Sequence, residues 1–86
     1  MIFIYKELVR KYINRLTPND LEKFAQSNNI TYTEDELQVV YHFIKEHYND
    51  LLDENIKVCE EIRYKISPTL YKQLLTLYID YKQKYL

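Results

Sequence analysis

Not one of the 86 residues is glycine, and this narrows both the turns and the chemistries open to the chain. Loops that cradle phosphate need backbone that can approach the ligand closely, so motifs of the P-loop and dinucleotide-binding kinds are excluded. Left-handed backbone positions must fall to Asn or Asp instead. Asn28-Asn29 and Asn49-Asp50 stand where such turns are wanted.

Between these points the apolar residues recur with helical spacing. Tyr5, Leu8, Val9, Tyr12, Ile13 and Leu16 predict a first helix over residues 5–16 with one inward face. Thr17-Pro18-Asn19-Asp20 supplies an N-cap, a proline suited to the first helical position and an acid near the free amides. The short helix that follows should bury Leu21, Phe24 and Ala25 and stop near Asn28-Asn29. Ile30-Thr31-Tyr32-Thr33 has an extended pattern but no partner strand, and reads as a connector.

Thr33-Glu34-Asp35-Glu36 is a capping box, with three acids at the positive end of the helix dipole. The third helix carries Leu37, Val40, Tyr41, Ile44 and Tyr48 on one stripe, while Val39 and Phe43 project off it, the pattern of a central element. A turn at Asn49-Asp50 and an N-cap at Asp53 would then open a fourth helix burying Ile56, Cys59, Ile62 and Ile66. Ser67-Pro68 ends it and begins a fifth, running to about Lys84 with Tyr71, Leu74, Leu75, Tyr78, Tyr81 and Tyr85 on one arc. The two Thr/Ser-Pro pairs are independent caps, since the residues after them do not repeat. The expected fold is all-α, a compact bundle of about five short helices with a central third helix, forming a single domain over residues 1–86.

At this length total stability should be about 4 to 13 kcal/mol, so single core contacts matter. Apolar residues make up 47% of the chain, enough for a packed interior, and 12 basic side chains balance 13 acidic ones. That near-neutral total lacks the basic excess usual in proteins devoted to nucleic acid or membrane surfaces. The lone Cys59 cannot form an internal disulfide, which points to a reducing compartment. Lys6, Glu7 and Arg10 interrupt the apolar opening before it reaches signal-peptide or membrane-span length, so the expected location is cytoplasmic.

Residues able to do chemistry are present but scattered. His42 and His47 diverge by about 140° on a helix and cannot jointly hold a metal there; His42 and Glu46 share a face but are only two ligands. Cys59 falls on an apolar stripe and reads as a buried, inert thiol. The acids at 34–36 and 53–54 sit where helix dipoles attract anions, so capping accounts for them without catalysis. We therefore expect no enzyme activity, no catalytic or metal-binding residue, no cofactor and no small-molecule ligand.

Two irregularities remain. Residues 1–16 hold four bases and one acid, residues 17–56 two and nine, and residues 57–86 six and three. Either the basic ends pack beside the acidic middle, or Lys6, Arg10, Lys11 and Arg15 form a phosphate-contacting face on the first helix. Tyr5 and Tyr12 would not assist the second arrangement, because they fall on the inward side. Ten tyrosines are also more phenols than a small core can enclose and pair. With Lys82 inside the arc of Tyr78, Tyr81 and Tyr85, the end of the last helix is a candidate protein interface.

The order of Leu16-Thr17-Pro18-Asn19-Asp20-Leu21, then Asn29-Ile30-Thr31 leading into Thr33-Glu34-Asp35-Glu36, then Glu61-Ile62 through Ile66-Ser67-Pro68-Thr69 resembles a known family. It is similar to domain-of-unknown-function family 2624 (DUF2624), short proteins of low-GC Gram-positive bacteria. The resemblance implies a small helical bacterial protein of the cytosol and brings no site residues with it. The favoured function is a non-catalytic protein-interaction module, with another protein or a second copy as partner. The alternative is a nucleic-acid accessory protein using the basic face of the first helix.

Overall fold

The structure is a computed structural model that describes residues 2–53 and 55–85, with the side chains of residues 2–5, Ile56 and Tyr85 outside that description. Five helices appear among the described residues: α1 (Ile2–Asn14), α2 (Pro18–Ser27), α3 (Glu34–Leu52), α4 (Glu60–Arg63) and α5 (Pro68–Tyr85), with a 3-10 turn at Ile56–Cys59 leading into α4. The all-α bundle with a central third helix is the observed fold, since α1, α2, the 3-10 turn and α4 all pack on α3.

The N-terminal caps form as the sequence dictates. Thr17 and Asp20 exchange side-chain and backbone hydrogen bonds at the start of α2, and Thr33 and Glu36 do the same at α3. Asn29, at φ 56°, takes the left-handed position that glycine would otherwise fill, and the amide of Ile30 donates back to the Ala25 carbonyl at 2.9 Å. At α5 the Leu70 amide donates to Ser67 Oγ at 3.1 Å.

Helix C-termini are finished differently. At the ends of α1 and α3, unlike α2, side chains from neighbouring helices also reach the carbonyls. Lys45 Nζ donates to the Ile13 and Asn14 carbonyls at 2.8 and 3.0 Å, and Tyr41 Oη to the Leu16 carbonyl at 3.0 Å. Tyr78 Oη donates to the Leu51 carbonyl near the end of α3. An ammonium at a helix C-terminus also meets the negative end of its dipole. These bonds fix the topology as well. Lys6 lies 3.7 Å from Asp53, Arg10 bonds Asn49 and Lys45 bonds the end of α1, so α1 runs antiparallel to α3. Glu36 bonds Ser67 and Tyr78 bonds Leu51, so α5 runs parallel to it.

The core is contiguous around Leu21, Ala25, Ile30, Leu37, Val40, Ile62, Ile66 and Leu70, with Leu70 only 2% exposed. Val39 and Phe43 pack against it half-buried, as a central helix requires. Several expectations need correcting. The first helix ends at Asn14 rather than Leu16. Asn49-Asp50 is no turn: α3 continues to Leu52, burying that residue at 3% exposure, and Asp53 closes α3 instead of opening the next helix. Nothing in Asn-Asp forces a helix to stop, and burial of Leu52 outweighs the turn preference of two polar residues. The fourth helix is consequently one 3-10 turn and one α turn, with no side-chain cap at Asn55. Leu8, Tyr12 and Phe24, expected inside, are 57%, 59% and 46% exposed.

Candidate functional site

Of these three, Phe24 lines a groove that the placement of α5 leaves open. Among the described side chains of α5 only Leu70 is buried, while Tyr71, Leu74, Leu75, Leu77, Tyr78 and Tyr81 are half-buried. The helix draws its backbone close to α4 rather than α3, and this leaves a half-open apolar groove of about 300 Å³. Val9 and Ile13 of α1 and Phe24 of α2 form one wall, Val40, Phe43, Ile44 and Tyr48 of α3 the floor, and Leu74, Leu77 and Tyr81 of α5 the other wall. Beside it, the hollow among Leu21, Ile30, Leu37 and Leu70 holds about 20 Å³, room for a single water at most. One half of the bundle is filled and the other is a trough.

Carbon dominates that trough. Its side-chain polar atoms are the hydroxyls of Tyr48, Tyr71, Tyr78 and Tyr81 and the thiol of Cys59. Tyr48 Oη donates to Asn14 Oδ1 at 3.2 Å, and Tyr78 is committed to the Leu51 carbonyl. Burial pushes the Cys59 thiol above its ordinary range, with neighbouring Glu60 adding to the shift. A thiol held neutral is a poor nucleophile. Burial likewise raises the Tyr71 phenol, with Cys59 and Glu60 as lesser causes.

The candidate interface on α5 lies partly in the groove. Tyr78 and Tyr81 line it, and Lys82 is half-buried with Nζ 5.7 Å from the Tyr78 ring centre. The side chain of Tyr85 lies outside the described residues. The basic residues of α1 divide in two. Lys6 approaches Asp53 and Arg10 bonds Glu7 and Asn49, so this pair faces the acidic end of α3. Lys11 and Arg15 are exposed; Lys11 lies about 100–140° around the helix from the first pair, and Arg15 follows the end of α1. Tyr12 is on the solvent side, not the inward one; the side chain of Tyr5 is not described.

His47 is no solvated surface residue. Its side chain is 14% exposed, its Nε2 lies 2.7 Å from Glu61 of α4, Nδ1 lies 3.6 Å from Asp50, and its ring sits 5.0 Å from that of Phe43. It pins α4 to α3, a role invisible in sequence because Glu61 is on another element. His42 is exposed and edges the Tyr41 ring at 5.4 Å. No group of three His, Cys, Asp or Glu residues among those described could hold a metal ion. No described helix is long and apolar enough to cross a membrane.

A family model described as a protein of unknown function, DUF2624, matches residues 1–82. The chain belongs to the DUF2624 family. No curated protein and no solved structure matches it. The DUF2624 match spans every helix that builds the groove, from α1 to all but the last residues of α5.

Proposed function

We propose that this chain is a non-catalytic protein-interaction module of the cytoplasm, and that its contact surface is the groove between α1, α3 and α5. The observation that carries this is the groove itself: about 300 Å³ of half-open space lined almost wholly by carbon. Apolar surface left contiguous on a small soluble domain favours association, because covering it removes it from water. Of the titrating groups that reach the groove, Cys59 and Tyr71 are shifted toward their neutral forms, which suits contact rather than acid-base or nucleophilic chemistry. The single buried thiol supports a reducing compartment.

The reading extends the candidate surface on α5, since Tyr78 and Tyr81 belong to the groove wall. The nucleic-acid alternative has less support, because Lys6 and Arg10 are engaged by Asp53, Glu7 and Asn49. Only Lys11 and Arg15 would remain for phosphate. Titration of the ¹⁵N-labelled chain with 1-anilinonaphthalene-8-sulfonate tests the groove. Amide shifts confined to residues around Ile13, Ile44 and Leu77 are expected from the monomeric chain; shifts spread over the surface, or none in a sample of monomeric mass, would refute it.

A further inference from the structure

The groove has a ridge beside it. On α1, Tyr12 lies about 60° and Leu8 about 100° around the helix from groove-lining Val9, on the side away from the Lys6 and Arg10 contacts with α3. Both are more than half exposed, at 59% and 57%. They stand one turn apart, about 6 Å, and neither is among the residues lining the groove. The floor runs from Val40 to Leu51 of α3, about 16 Å at the rise of an α-helix. A ridge of two side chains thus lies alongside a trough long enough to receive it.

Resting on the reading of the groove as a contact surface, we infer that its occupant is a second copy of this chain, with Leu8 and Tyr12 of each copy seated in the groove of the other. A face carrying both knob and hole is self-complementary under a two-fold axis, which closes the assembly as a dimer. The area available fits this occupant. A standard interface buries about 800 Å² per partner, of which about 57% is apolar, so about 450 Å² of apolar surface is needed. Tyr12, at 59% exposure, offers about 120 Å² at the usual size of an aromatic side chain. A groove about 16 Å long and one helix wide adds about 160 Å², and Leu8 supplies about 60 Å² more. Together these reach about 340 Å², the apolar share of an interface of about 600 Å² per partner, at the low end of the standard range. A formal net charge of −1 leaves little long-range repulsion between copies.

Sedimentation equilibrium across a wide concentration range tests the proposal. The wild-type chain should weigh twice 10.6 kDa at tens of micromolar. The Leu8→Asp, Tyr12→Asp double variant should weigh 10.6 kDa with unchanged helical circular dichroism, and should bind more 1-anilinonaphthalene-8-sulfonate than wild type because its groove is uncovered. If the double variant unfolds, Tyr12→Lys alone should weaken the dimer at least tenfold. A wild-type chain that stays monomeric, or a folded double variant that still dimerises, overturns the proposal. Probe binding by a monomeric wild type would then leave the groove as a surface for a different partner; its absence would remove both readings.

Discussion

Glu36 is the place where one side chain joins two helix starts, so its removal should be felt at both. Its Oε1 accepts the Thr33 amide at 3.0 Å, closing the capping box of α3, and its Oε2 accepts the Ser67 amide at 2.7 Å, at the entry to α5. In Glu36→Gln the single carbonyl oxygen can serve only one of these amides, and the new NH₂ cannot accept. Hydrogen bonds to a charged group are worth about 1.5–3 kcal/mol and a helix cap about 1 kcal/mol. Because the site is open to water, we expect a loss of about 1 kcal/mol, or a fall in melting temperature of about 4–8 °C for a domain of this size. The two backbone bonds, Ser67 first and Thr33 second, hold the Glu36 carboxyl below its ordinary 4.5. Its folded-state value being depressed, its contribution is complete above the unfolded value of 4.5 and fades as pH falls through the folded value beneath it. Urea titrations of wild type and Glu36→Gln at stepped pH should therefore show a gap at neutral pH that closes in acid. Equal stabilities at pH 7, or a gap that widens on acidification, would refute the reasoning.

Three further outcomes follow from the packing. Lys45→Met keeps the aliphatic stem but strips the donor from the Ile13 and Asn14 carbonyls, and chemical denaturation should record a loss of about 1–1.5 kcal/mol. Leu70→Ala, at a residue 2% exposed, should cost about 2–5 kcal/mol; a midpoint shift under 1 kcal/mol would mean that α5 is not anchored there. Cys59 is buried and its thiol held neutral, so labelling by the charged reagent iodoacetate at pH 7 should be slow and should accelerate sharply in urea.

Local chemistry made the helix starts legible. Thr17, Thr33 and Ser67 each carry their signal within three residues, and the Asn28-Asn29 pair marked the end of α2, where Asn29 takes the left-handed position. The ends of α1 and α3 were harder to read, because side chains distant in sequence help to finish them. Lys45 reaches 31 and 32 residues back to finish α1, and Tyr78 reaches 27 residues back to Leu51. The same tyrosines that looked surplus in composition partly serve as these caps. Asn49-Asp50 misled because a turn preference of a few tenths of a kcal/mol per residue yields to burying Leu52. The groove had a partial trace, in an α5 arc whose tyrosines exceed what a small core encloses. The ridge beside it on α1 had none, since Leu8 and Tyr12 continue the inward stripe in sequence yet are more than half exposed in the fold.

The decisive measurement is an isotope-filtered nuclear Overhauser experiment on an equal mixture of ¹³C-labelled and unlabelled chains. If the groove is covered by a second copy, cross-peaks will join the Tyr12 ring of one molecule to the Ile44 and Leu77 methyls of another. Cross-peaks to those methyls arising only within one molecule, from a sample of monomeric mass, would contradict it.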